Sequence, residues 1–195
     1  MNILQLIEQS HTLSKKKGFW DVEKNPQEDL MLIVANLGDV IKAFKKKKHA
    51  NWTLLTNHSQ EKINIVGNSY FEAYIKDSFE DELANVVLRI TDFIGGFKID
   101  ITKTHPWLEE YLHKDLNLFF ITSAPSERYS GNMGEWLSKS VNEWTYNRNE
   151  KDYGCSHMLF YLGSIIEHFK IDIERHIKAK LEYNKTRPKL YGRSY

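Results

Sequence analysis

The chain has 195 residues, of which 41% are hydrophobic and 27% are charged, and its 27 basic and 26 acidic side chains leave a formal net charge of +1. This composition is typical of a soluble globular protein, and the balanced charge argues against general nucleic-acid binding. Cys155 is the single cysteine, which excludes an internal disulfide and zinc sites built from several cysteines. We interpret Cys155 as a small apolar residue.

Residues 1–8 predict an amphipathic helix and not a secretory signal, because an acidic residue lies within them. The most apolar run, residues 30–35, is far shorter than the roughly 20 residues that a membrane span needs. We therefore expect a cytoplasmic protein with no membrane partner.

Apolar residues recur at helical spacing over long stretches, and strand-like alternation is scarce, so the sequence predicts an all-α helical bundle. The clearest helix begins after Asn25, a suitable N-cap, with Pro26 in its first turn. Lys45 to Lys48 are expected to close it. Beside its apolar face, Asn36 and Asp39 form a polar pair at spacing i, i+3.

Residues 49–76 show no sustained period, which predicts a long connection with some local helix. A second strong helix begins at Ser78, and Gly95-Gly96 is expected to weaken or end it. Its apolar face consists of Leu83, Val86, Val87, Ile90 and Ile94. A polar stripe at spacing i, i+3, i+7, i+10 runs beside that face and consists of Glu82, Asn85, Arg89 and Asp92. For Arg89 we favour an ion pair with Asp92, the alternative being contact with a phosphate.

An internal repeat links the two halves, because the five residues 97–101 recur letter for letter as 169–173. At the same offset, the apolar face of the helix after Ser78 is reproduced in residues 155–166. We infer two diverged tandem units, residues 1–101 with a long central loop and residues 134–195, joined by a linker at 102–133. The alternative is that any two amphipathic helices can be aligned in this way.

Several motifs carry a resemblance to a known family. They are residues 17–21, the helix at 30–34, residues 79–84 with Arg89 and Ile90 following, and the tail residues 183–188 and 192–195. In this order they resemble the MazG-like, all-α nucleoside triphosphate pyrophosphohydrolases. The resemblance implies two MazG-like units fused so that one chain is similar to a dimer of shorter family members.

The resemblance also implies a metal site. Family members hold an E-x-x-E pair on one helix and an E-x-x-D pair on the next, and these carboxylates bind the Mg²⁺ ions used to split the α–β phosphoanhydride. Here the first pair is Asn36 and Asp39, and the second is Glu82 and Asn85. Because two of the four ligands are neutral amides, we expect Mg²⁺ or Mn²⁺ to bind weakly, if at all. The residues do not indicate a catalytic base.

The matching positions of the second unit are Glu143, Tyr146, Gly154 and His157. Only one of them is a carboxylate, so no metal site is predicted there. We interpret His157 as a core or interface histidine.

A last helix is predicted from Asp172 to about Arg187. It places Lys180, Asn184 and Arg187 on one face, where the resemblance implies that they hold a polyphosphate. Trp20 either stacks on a nucleotide base or packs the corner between the first two helices. Arg193 either extends the phosphate site or belongs to a frayed terminus.

Two hypotheses follow for the function. The first is a Mg²⁺-dependent hydrolase that cleaves a nucleoside triphosphate to the monophosphate and pyrophosphate. The second is a catalytically inactive protein that binds a nucleotide or acts as an interaction or assembly module. The fused-dimer interpretation permits a monomer, and unpaired apolar faces leave a homodimer open.

Overall fold

The computed structural model describes residues 1–53, 68–103, 105–122, 129, 131–146 and 151–192, with the backbone alone at 143–146 and 151–153. Within these residues the fold is all-α, as predicted, and there is no β-strand. The α-helices are α1 (Ile3–Lys16), α2 (Pro26–Lys45), α3 (68–74), α4 (Phe79–Phe97), α5 (Leu116–Thr122), α6 (Met133–Tyr146), α7 (Lys151–His168) and α8 (Ile173–Thr186). Short 3₁₀ helices span Pro106–Glu110 and Lys189–Gly192.

Side-chain caps begin the principal helices where the sequence predicts them. The Asn25 side chain accepts a hydrogen bond from the Gln27 amide at the start of α2, and Ser78 accepts one from the Asp81 amide at the start of α4. The Asp172 side chain caps α8 in the same way. Each cap satisfies a backbone N–H that has no partner within the helix.

Helix α4 does not stop at the glycine pair but continues to Phe97. A Cβ added to Gly96 would lie 1.9 Å from the Trp20 ring, and one added to Gly95 would lie 2.8 Å from His11. The two glycines therefore allow α1 and Trp20 to approach the helix closely.

The repeated five residues share a left-handed lysine and one backbone hydrogen bond at both places, although Ile101 lies in a turn and Ile173 begins α8. Lys98 ends α4 with a φ of 52°, and Lys170 follows α7 with the same φ of 52°. The Ile99 amide donates to the Ile94 carbonyl at 3.0 Å, and the Ile171 amide donates to the Ile166 carbonyl at 3.0 Å. The repeat is thus a repeated left-handed helix terminus, while duplication of a whole unit stays a prediction.

Helix α4 lies at the centre of the bundle, where it packs against α1, α2, α7 and α8. Its predicted apolar face is confirmed, since all five residues named for it are buried. Helix α5, within the predicted linker, contributes Leu116, Phe119 and Phe120 to the same core. In the described part of the chain no helix is both long enough and apolar enough to cross a membrane.

Candidate functional site

A cavity of about 350 Å³ opens beside α4, with walls from α1, α2 and α8. All four predicted metal ligands line it, and so do three of the predicted phosphate ligands. They are Asn36, Asp39, Glu82 and Asn85, with Lys180, Asn184 and Arg187. Two groups of residues that are about a hundred positions apart in the chain therefore share one space.

Helix geometry explains why the polar side chains reach the cavity together. Residues at spacing i, i+3 and i+7 lie on one side of a helix. The opposite side of α4 is apolar and buried in the core, so its polar stripe is turned toward the space between α2 and α8.

Asp39 and Glu82 stand, together with Asp77, at the end of the cavity nearest the start of α4. Asp39 is partly exposed and accepts a hydrogen bond from Lys42 at 2.9 Å. Burial raises the pKa of Glu82 to about 7, with Lys180 acting in the opposite direction and the nearby Asp81 and Asp39 adding to the rise. Glu82 therefore changes its charge close to neutral pH in the absence of a metal.

A buried ion pair joins α4 to α8 beneath this end of the cavity. Lys180 Nζ lies 2.7 Å from Asp81 Oδ2, and the two side chains are 9% and 0% exposed. Burial raises the pKa of Asp81, and the Lys180 ammonium opposes that rise. No local pattern in the sequence indicates this partner of Asp81, because Lys180 lies 99 residues away in the chain.

Asp77, Asp81 and Glu82 form an acidic cluster at the start of α4. Each offers a carboxylate oxygen, and these oxygens lie within 4.8 Å of one another. Such a set could hold a cation, but Lys180 already neutralises Asp81. Glu82 is the one residue that this cluster shares with the predicted metal ligands.

The expected ion pair between Arg89 and Asp92 is not formed. Asp92 Oδ1 instead accepts a hydrogen bond from Trp20 Nε1 at 2.9 Å and lies 3.0 Å from His11 Nδ1. Burial raises the pKa of Asp92, while hydrogen bonds from Ser14, His11 and Trp20 act to lower it. Side chains of α1 and of the turn that follows it therefore take the place in which Arg89 was expected.

Trp20 lies outside the lining of the cavity. Its ring packs against His11 and Phe97, with centroid distances of 4.9 and 5.4 Å, and against Gly96. The structure therefore does not bring Trp20 to Lys180, Asn184 or Arg187, and its ring packs between α1 and the end of α4.

The chain after α8 folds back over the cavity. The Arg187 guanidinium lies 4.0 Å from the centre of the Tyr191 ring, and Lys17 Nζ donates to the carbonyl groups of Lys185 and Arg187. Leu190 and Tyr191 both have positive φ, at 51° and 55°. Arg193, the remaining predicted phosphate ligand, lies outside the described residues.

Two amides of the cavity hold polar atoms that are buried without a hydrogen-bond partner in the structure, namely Asn36 Nδ2 and Asn184 Oδ1. Buried polar groups are normally hydrogen-bonded, so such atoms indicate where a ligand or its water would bind.

The matching positions on α7 do not form a comparable site. Gly154 is buried, and the His157 ring lies 5.0 Å from the ring of His105 and 5.6 Å from that of Phe160. Burial lowers the pKa of His157. The side chains of Glu143 and Tyr146 lie outside the described residues.

No family model, curated protein or solved structure matches this chain.

Proposed function

We propose that the protein is a Mg²⁺-dependent nucleoside triphosphate pyrophosphohydrolase with a reduced metal site. The observation that supports this proposal is the single cavity shared by the predicted metal ligands and the predicted phosphate ligands. Its acidic end suits a divalent cation, and its basic residues on α8 suit phosphate oxygens.

Two carboxylates are compatible with this chemistry. Mg²⁺ is commonly bound by one or two carboxylates together with substrate phosphates and several waters. Asp39 and Glu82 supply the two charges, and Asn36 and Asn85 can add neutral amide oxygens. The metal would then bind mainly as a complex with the triphosphate, because the protein alone holds it weakly.

When bound, the metal neutralises phosphate charge and makes the attacking water more acidic. Lys180, Asn184 and Arg187 orient the triphosphate from the opposite wall. The buried Asp81 holds Lys180 in place, so Asp81 is a positioning residue in this proposal.

The test is pyrophosphate release from a panel of ribo- and deoxyribonucleoside triphosphates, with Mg²⁺ or Mn²⁺. The double variant Asp39→Asn, Glu82→Gln should lower the rate at least about 100-fold, since it removes both charged ligands at nearly constant shape. The matched control is Glu109→Gln, Glu110→Gln, which removes two exposed acids outside the cavity. A double variant at 39 and 82 that is as active as the wild type would contradict the proposal.

A catalytically inactive nucleotide-binding protein is the second candidate. Two observations favour it, the amides at positions 36 and 85 and the involvement of Lys180 with Asp81. It predicts no pyrophosphate release, but a rise in the unfolding temperature when nucleotide is added. If neither effect is measured, the helical scaffold is left as an interaction or assembly module.

A further inference from the structure

We propose that Arg89 and Arg187 form an oxyanion subsite that binds the terminal phosphate of the triphosphate. This inference rests on the proposed function and adds Arg89, which the resemblance did not assign to phosphate. Both side chains line the cavity.

In the part of the chain that the structure describes, neither guanidinium forms an ion pair with a carboxylate. Within the described residues no carboxylate lies within ion-pair distance of Arg89, because Asp92 is bound to Trp20 and His11. The Arg89 guanidinium lies 5.8 Å from the centre of the Phe19 ring. Arg187 likewise contacts aromatic rings in place of acids, at 4.0 Å for Tyr191 and 5.8 Å for Tyr183.

The two arginines lie at the end of the cavity away from Asp39 and Glu82, and Asp92, which accepts hydrogen bonds from Trp20 and His11, lines that end with them. Lys180 contacts Asp81, which fixes the register of α8 on α4 at one end. Arg89 is seven residues beyond Glu82 and Arg187 is seven residues beyond Lys180, about 10 Å along each helix. Burial raises the pKa of Tyr191, and the positive charges of Arg187 and Arg89 both oppose that rise, so both charges act at the same hydroxyl.

Two guanidinium groups in one cavity repel each other unless an anion lies between them. A guanidinium presents five N–H donors in a planar fork that matches the oxygens of a phosphate. Arg89 follows Asn85 by four residues, which is about 6 Å along the axis of α4. A triphosphate whose metal-bound part lies at Glu82 and Asn85 therefore extends toward the arginines with its terminal phosphate.

Asn184 supplies an independent indication of a ligand. It is 6% exposed and lies between Lys180 and Arg187 on the wall of the cavity, and its Oδ1 has no hydrogen-bond donor in the structure. A phosphate ligand with its bound water would provide that donor.

The experiment is calorimetric titration of the whole protein with inorganic pyrophosphate in the presence of EDTA. The wild type should bind, and Arg89→Gln should weaken the affinity at least about tenfold, because a charged bidentate contact is lost. Arg89→Lys should recover part of the loss, since it keeps the charge but not the fork. The control is Arg175→Gln, which removes the same charge from α8 outside the cavity and should bind like the wild type.

The subsite is overturned if wild-type protein does not bind pyrophosphate, or if Arg89→Gln binds it within twofold of the wild type. An equal loss in Arg175→Gln would also overturn it, because the effect would then be one of overall charge. Thermal unfolding of each variant checks its fold. If Arg89→Gln does not fold, Arg89→Lys replaces it, with an expected loss of at least about threefold.

The metal-free titration separates this inference from the proposed function. Pyrophosphate binding without hydrolysis of any nucleotide would support the subsite and contradict the enzyme. Hydrolysis that is unaffected by Arg89→Gln, with unchanged pyrophosphate binding, would support the enzyme and contradict the subsite.

Discussion

Helices α4 and α7 have similar apolar faces but different polar sides. At the offset of the internal repeat, the polar stripe of α4 corresponds to Gly154, His157, Tyr161 and Ser164 on α7. The stripe of α4 lines a cavity. On α7, by contrast, the Ser164 hydroxyl accepts a hydrogen bond from the Tyr129 amide at 3.0 Å, and the Tyr161 carbonyl accepts one from Trp136 at 2.9 Å.

One further pair of matching positions shows how closely the neighbouring helices approach α4 and α7. Thr91 of α4 donates to the Val87 carbonyl of its own helix at 3.0 Å. Its counterpart on α7 is Gly163, where an added Cβ would lie 2.4 Å from the Phe120 carbonyl oxygen. Helix α5 therefore packs directly on α7. The comparison teaches that an apolar face determines where a helix is buried, while the neighbours on its other side determine whether a cavity remains.

The largest effect is expected from breaking the buried ion pair that joins α4 to α8. Lys180→Met should lower the free energy of unfolding by about 3–5 kcal/mol, because it leaves the fully buried Asp81 carboxyl without its opposite charge. Urea unfolding measures this change. Lys178→Met, which removes an exposed partner of Glu174 from the same helix, should cost less than about 0.5 kcal/mol.

A double variant tests whether the lost stability is due to the buried charge of Asp81 or to the changed shape of the side chain at position 180. Lys180→Met combined with Asp81→Leu should recover much of the lost stability, since no charge then remains buried. A Lys180→Met protein as stable as the wild type would show that α4 and α8 do not depend on this pair.

A smaller effect, on the affinity for Mg²⁺, is expected when the polar side of α4 is made more acidic and that of α7 serves as the control. Asn36→Glu with Asn85→Asp should raise Mg²⁺ affinity at least about tenfold, because it places a carboxylate at each of the four predicted metal positions. Calorimetric titration with Mg²⁺ measures the change. His157→Asp, at the position of α7 that corresponds to Asn85, should leave Mg²⁺ affinity unchanged. Unchanged affinity in the double variant would mean that these four positions do not form a metal site.

The smallest effect is expected from pH. The pKa of Glu82 is raised from 4.5 to about 7, so the folded protein keeps a proton there that the unfolded chain releases. Its contribution to stability therefore falls as pH rises from about 4.5 to about 7 and is constant above that range. His176 acts in the opposite direction, because burial lowers its pKa to about 4.

Comparison of wild type with Glu82→Gln isolates the contribution of Glu82 from that of His176. We expect the stability difference between the two proteins, measured without metal at several pH values from 4.5 to 8, to shift in favour of the variant up to about pH 7. A difference that does not depend on pH would show that the pKa of Glu82 is not raised.

Much of the fold could be predicted from the sequence because it depends on local rules. The cap at Asn25, the helix starts at Ser78 and Asp172, and the apolar face of α4 are all confirmed. The continuation of α4 through its glycine pair could not be predicted in this way. Gly95 and Gly96 weaken a helix in isolation, but here they provide room for His11 and Trp20.

The candidate site, too, could be predicted only in part. Periodicity placed Glu82 and Asn85 on one helix face, and a resemblance named their partners on α2 and α8. The wrong expectation was the pair of Arg89 with Asp92, which the spacing i, i+3 permits but which Trp20 and His11 replace. The proximity of Lys180 to Asp81 has no local signal at all.

The sequence by itself determined the helices, their ends and their buried faces, because hydrogen bonding and side-chain periodicity act over a few residues. Only the tertiary structure decided which polar side chains share a cavity and which charges find a partner. Those outcomes depend on how α1, α2 and α8 pack around α4, and a buried charge takes its partner from whichever helix is nearest in space, however far away that helix lies in the chain.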